Sequence, residues 1–179
     1  MGLDITAHGA IRLDTREYAN EDAQLDTLIL QRQGVVIGQH LLDWVRKEFP
    51  GRADDVKAGM YRTCGSRLDF RAGSYSGYGK WRDWLARVAG WESAEDCWDA
   101  AKTDKHFLTR PFALLVNFAD NEGIIGPAAA KTLADNFGRH RRDALATECI
   151  DRAWNMSRYD LWHAAFRIAA DEAGIVELH

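Results

Sequence analysis

Two short stretches carry residue types that could do chemistry. The first is "FRAGSYSGYGKWRDW", residues 70–84. Phosphate binds where backbone N–H groups converge at the start of a helix with a cation close by. Gly73, Gly77 and Gly79 let the backbone approach a ligand with no Cβ in the way. Arg71, Lys80 and Arg82 bring positive charge, and an arginine can grip a phosphate through two parallel hydrogen bonds. Ser74 and Ser76 add hydroxyls. Tyr75, Tyr78 and Trp81 add flat faces for a base or sugar, with Trp81 expected at a pocket edge. The stretch is not a P-loop: five residues separate Gly73 from Gly79-Lys80, and Trp81 stands where Ser or Thr is needed. Nor is it a Rossmann fingerprint, because Gly77-Tyr78-Gly79 meets Arg82 at the third glycine position. The competing reading is a strand-to-helix connection whose glycines serve turn geometry and whose aromatics begin a core helix.

The second stretch is "NFADNEGIIGP", residues 117–127, with Asp120 and Glu122 two apart. Such a pair could hold a hard cation, or one carboxylate could act as a general base, with Asn117 as a third polar group. A metal needs more ligands than this, and Asp, Asn and Gly are also the usual turn residues. If 71–82 and 120–127 each leave a strand and enter a helix, the two loops would face one pocket. Elsewhere the six histidines form no H-E-x-x-H, and Cys64, Cys97 and Cys149 have neither zinc nor redox spacing. No metal, cofactor or disulfide is expected, and no hydrolase or kinase signature occurs. "RHRR", residues 139–142, reads as a solvated basic face.

The elements that would position these residues read as α+β. Residues 2–14 alternate and break at Gly9, which predicts a bent strand. Gly2 and Thr6 fit a myristoylation pattern, but Leu3 and Ile5 alternating with Asp4 and Thr6 favour the strand. Residues 15–26 are polar and predict a loop or short helix. Ile37, Leu41, Trp44, Val45 and Phe49 recur at helical spacing from Val35 until Pro50-Gly51. Residues 60–70 predict a strand leading into the glycine-rich stretch. Trp81, Trp84, Leu85 and Val88 then mark a helix face, with Gly90 beyond its end. Ser93 and Asp96 predict the cap of a short helix that buries Trp98 and Ala101. "PFALLVNFA", residues 111–119, predicts a central strand, "DNEGIIG" a turn, and Pro127 the first position of a helix through Leu133 and Phe137. A last helix from about Ser157 to Ala173 carries Leu161, Trp162, Ala165, Phe166 and Ala169 on one stripe. "IVELH" then predicts an edge strand. The sum is one α+β domain over 1–179: a small, mostly antiparallel sheet with helices packed on it.

Composition excludes several function classes. In 179 residues, 46% are apolar and 28% charged, as in globular proteins rather than disordered ones. The net charge of −4 and pI near 5.9 argue against a dedicated nucleic-acid binder. No apolar run is long enough to span a membrane and no basic n-region precedes an apolar h-region, so a cytoplasmic protein without a secretory signal or a membrane partner is expected.

With "MGLDITA" at the start, "DFRAGSYSGYGKWRDWLARVAG" in the middle and "PFALLVNFADNEGIIGPAAAKTLADNF" later, the chain resembles a group of small accessory proteins of tailed bacteriophages and prophages. The likeness is strong over about residues 68–91 and 111–137 and at the N-terminus, and looser elsewhere. It implies a phage origin, expression in the cytoplasm of the infected bacterial host and a non-virion role, and it supplies no catalytic residues. That origin favours a protein that sequesters a small phosphate-bearing nucleotide signal of host defence. The ligand would lie at Arg71, Gly73, Ser74, Tyr75, Ser76, Gly77, Tyr78 and Trp81, with Asp120 and Glu122 nearby. The alternatives are a metal-assisted nucleotide phosphoesterase and a protein-binding inhibitor of a host factor. A homo-oligomer is compatible with each.

Overall fold

The computed structural model describes residues 2–15 and 34–179. Among the described residues, seven strands form two antiparallel sheets. The larger is built from β1 (Gly2–His8), β5 (Arg67–Ser74), β6 (Gly123–Ile125) and β7 (Ile175–Leu178) in the order β5-β1-β7-β6. The smaller is β2 (Ile11–Leu13), β4 (Gly59–Thr63) and β3 (Gly34–Ile37) in the order β2-β4-β3. The described helices are α1 (Gln39–Glu48), α2 (Tyr75–Val88), α3 (Ala94–Thr103), the single turn α4 (Ala113–Val116), α5 (Pro127–Arg139), α6 (Arg141–Ala146) and α7 (Arg152–Asp171). This is an α+β fold with one shared hydrophobic core.

Register decides which face each side chain takes. Leu3, Ile5 and Ala7 of β1 point into the core, while Asp4, Thr6 and His8 take the other face. The long helix α7 packs across β1, β5 and β7 on the inner side and against α5. Its Trp162 is fully buried and stacks on Trp81 of α2 at 5.9 Å and 15°. Phe166 stacks on the same indole at 5.4 Å, and Phe70 of β5 meets it edge-on at 5.4 Å. The middle of the core is therefore an aromatic cluster joining α2, α7 and β5.

Several predicted elements are confirmed. The strand from Gly2 breaks at Gly9. Gly51 takes φ +84° after α1, and Gly90 takes φ +86° after α2. Ser93 accepts from Asp96 N at the start of α3, and Pro127 opens α5. Others are corrected. Val35 and Ile37 belong to β3, not to a helix: both are buried while Val36 between them is 47% exposed, a period of two. Residues 59–74 make two strands in different sheets. On α3 the buried residues are Ala94 and Cys97 rather than Trp98 and Ala101, and Trp98 instead donates from Nε1 to Val116 O at 2.9 Å. Residues 111–119 are no strand. They turn at Phe112 (φ +56°) into α4, and Gly123–Ile125, expected as a turn, is the strand. The last helix starts earlier than expected, at Arg152 with Asp151 as its cap. β7 lies between β1 and β6 rather than at an edge. The expected polar loop of 15–26 falls, apart from Thr15, outside the described residues.

Candidate functional site

The glycine-rich stretch contains no loop. β5 runs to Ser74 and α2 begins at Tyr75. A bulge makes this junction: Leu3 pairs with Gly73 and Asp4 with Arg71, which leaves Ala72 as the extra residue. Gly73 takes φ +142°, a conformation that strains any other residue. Ser74 caps the helix, its Oγ accepting from Gly77 N at 3.1 Å, and Ser76 Oγ lies 3.2 Å from Ser74 Oγ.

Arg71 sits on the outer sheet face and is exposed. Its guanidinium lies over Gly2, where a Cβ would come within 2.3 Å of Nη2. Gly2 pairs with Ser74, so this cation stands beside the first turn of α2. Its side chain pairs with none of the described residues, while its carbonyl accepts from Arg158 Nη1 at 2.5 Å. Tyr75 is 41% exposed, and Ser74 and Ser76 are exposed.

Two aromatics predicted for the site belong to the core instead. Tyr78 and Trp81 are 0% and 1% exposed and lie 6.0 Å apart, both against Trp162. Trp81 Nε1 donates to Asn155 O at 3.1 Å. Trp81 is therefore no pocket edge. A helix entering the core at this angle buries its i and i+3 aromatics together. Burial also pushes the Tyr78 hydroxyl up to about 12.

The strands of the two motifs stand at opposite edges of the larger sheet. Glu122 immediately precedes β6, at the sheet edge opposite β5. Across the row Phe70–Ile5–Leu178–Gly123 that separation is about 14 Å, three strand spacings. Asp120 and Glu122 are both exposed. The residue that links the motifs is Arg82. It is buried, donates from Nη1 to Phe118 O at 2.7 Å, lies 3.6 Å from Asp120 Oδ2, and packs against the Tyr78 and Trp98 rings. Among the described residues no three His, Cys, Asp or Glu cluster as metal ligands.

Beside α2 runs a groove of about 1040 Å³. One wall is Gly79, Lys80, Asp83 and Arg87 of α2, and the other is the 147–151 connection between α6 and α7. Trp84 and Asn155 form its floor, and Trp154 stands at the end nearest the Gly73–Ser74 junction, 3.5 Å from a Cβ position on Gly73. Of the cations in it, Arg87 is held by Asp83 at 2.5 Å, while Lys80 is exposed and pairs with no described residue.

A polar cluster on the outer sheet face was not foreseen. Arg67 grips Asp69 through two hydrogen bonds of 2.8 and 2.9 Å, which holds that carboxyl below its ordinary range. Asp69 therefore only accepts at neutral pH. Thr6 donates to it at 2.9 Å, so His179 Nε2, 3.0 Å from the same hydroxyl, must be the donor to Thr6. In this arrangement the histidine is a donor to the threonine and not its base. His8 Nε2 meets Glu177 at 2.7 Å in the next row. Only strand register brings these residues together.

The three cysteines are free. Cys97 is buried, which raises its thiol to about 12 and keeps it protonated. A smaller groove between α5 and α7 holds His163, stacked on Phe137. Burial, then Arg167, lowers the His163 pKa from its usual 6.5. The unfolded chain thus takes up this proton first, so stability is full above pH 6.5 and falls as pH drops below it toward the folded value. We expect the urea midpoint to fall between pH 7.5 and 5.5, and to fall less in His163→Gln. Equal slopes in both proteins would contradict this.

No helix among the described residues is long and apolar enough to cross a membrane. The chain matches no protein-family model, no curated protein and no solved structure.

Proposed function

We propose that this protein binds a small phosphate-bearing, nucleotide-like ligand and holds it without turnover. The phosphate lies beside Arg71 at the start of α2. The observation that supports this reading is the guanidinium over Gly2, unpaired among the described residues and next to the Ser74 and Ser76 hydroxyls. Backbone N–H groups in the first helical turn, a cation and hydroxyls are the ingredients of an anion site. Tyr75, still exposed, is the ring of the original set that can lie along the ligand. The phage resemblance suggests the setting: sequestration of a defence signal in the host cytoplasm. Asp120 and Glu122 fit a phosphoesterase less well, since Asp120 pairs with Arg82 and the turn stands at the far sheet edge. One observation favours a protein-binding inhibitor instead: Ile150 is fully exposed, and Leu145 close by in sequence is 44% exposed.

Calorimetry across cyclic dinucleotides, ADP-ribose derivatives and adenine nucleotides tests the proposal, with chromatography of the recovered ligand. We expect binding, intact ligand, and a roughly ten- to hundredfold weakening in Arg71→Ala, from a charge-assisted contact of about 1.5–3 kcal/mol. Asp120→Ala should bind like the wild type. Absence of binding to the whole panel would sink the proposal in favour of a protein partner. Recovery of cleaved ligand would favour the phosphoesterase.

A further inference from the structure

The floor of the groove beside α2 holds a polar group for which the fold gives no use. Asn155 is 7% exposed, yet its carboxamide bonds to no described residue. Its backbone carbonyl accepts from Trp81 Nε1, so the residue is fixed in place by the aromatic core while its side chain is left over. Its oxygen and nitrogen are not sealed in the core, so the free carboxamide opens onto the groove with a donor and an acceptor to offer.

We infer that this floor is a base subsite, in which the Asn155 carboxamide reads the amino edge of an adenine-type ring. The inference rests on the preceding reading for the phosphate end of the ligand and adds the chemistry of the other end. A carboxamide presents a donor and an acceptor side by side, the complement of the adenine N6/N7 edge. Trp154, half-buried, lines the same groove beside Asn155 and offers the stacking surface that Tyr78 and Trp81, sunk in the core, do not. Trp84 closes the floor beneath. Lys80, on the groove wall and without a partner among the described residues, stands one helical turn from Ser76, about 6 Å along α2. A base on the floor thus has a cation on the way to the helix start. Gly79 leaves open space between them, since a Cβ there would meet nothing within 4 Å.

The test uses the full chain with adenosine, purine riboside and AMP as probes, measured by calorimetry. Purine riboside lacks the amino group that Asn155 would read. We expect wild type to bind adenosine at least tenfold tighter than purine riboside. Asn155→Ala and Asn155→Leu should both lose that preference while binding purine riboside as before. Arg71→Ala should weaken AMP and leave adenosine unchanged, so a failure of the phosphate reading shows at AMP alone and a failure of the base subsite shows at adenosine. The amide side chain makes no internal bond, so both Asn155 variants should keep the wild-type circular dichroism and melting temperature within a few degrees. The inference is overturned if the protein binds no purine. It is equally overturned if it binds adenosine and purine riboside alike, or if both variants keep the wild-type preference.

Discussion

Trp162→Ala is expected to lower the unfolding free energy by about 3–5 kcal/mol, the range for removing a large buried aromatic. Trp162 is fully buried and is the ring on which α2, α7 and β5 converge, through Trp81, Tyr78, Phe166 and Phe70. Alanine would leave a cavity facing four aromatic rings that have no shared way to collapse into it. For a domain whose whole stability is about 5–15 kcal/mol, such a loss leaves a sizeable unfolded fraction in mild urea. Trp162→Phe should cost far less. It keeps a ring in the stack and deletes an indole N–H that is buried without a partner among the described residues. Urea denaturation followed by circular dichroism measures both. A loss below about 1 kcal/mol in the alanine variant would mean that the core is centred elsewhere.

This cluster also shows what was legible in the sequence and what was not. Trp81, Trp84, Leu85 and Val88 announce a helix by their spacing, and Trp162, Ala165, Phe166 and Ala169 announce another. That the two stripes meet face to face is a property of the packing, not of either segment. Tyr78 and Trp81 therefore read equally well as a pocket rim or as core until the layer opposite them is known. The helix start at Asp151 is obscured because Arg152, Asn155 and Ser157 break up the apolar residues of "RAWNMS", and Asn155 is hidden as a candidate with it. The sheet cluster of Thr6, Asp69, His8, Glu177 and His179 is invisible for a stronger reason. Its members lie up to 173 positions apart and meet only through register. Arg71, Ser74 and Ser76 were legible as exposed polar groups at a strand-to-helix junction, because glycine, serine and a following amphipathic run mark such a junction locally.

The apolar run at 111–119 predicts a strand by its sequence and folds instead into the single turn α4. A short continuous apolar stretch is buried either way, and periodicity does not separate a strand from a helical turn. What decides here is Arg52, sixty residues earlier and 1% exposed. Its guanidinium donates to Pro50 O at 2.7 Å, Leu114 O at 3.1 Å, Ala113 O at 3.2 Å and Asn117 O at 2.6 Å. α4 is only four residues long, so beyond Ala113 O, which takes Asn117 N, its last carbonyls lack helical partners, and the arginine supplies donors from within the core. Burial lowers its pKa to about 10, still far above neutral, so the charge-assisted bonds persist. Arg52→Leu should leave Leu114 O without a donor in the core, at about 1–3 kcal/mol, and remove the charge-assisted bonds to Pro50, Ala113 and Asn117. We expect a total loss of about 2–4 kcal/mol after partial relaxation. Arg52→Lys should recover only a part, because an ammonium is a point charge and cannot fork to carbonyls spread over two segments. Denaturant unfolding gives the total, and amide hydrogen exchange locates it: protection should drop first at residues 112–118. The groove beside α2 has no contact with Arg52, so wherever the variant remains folded its adenosine affinity should match the wild type. A leucine variant as stable as the wild type would show that residues 111–119 hold their turn without the arginine. Its shape would then be a product of its own sequence, set at Phe112 by its left-handed backbone.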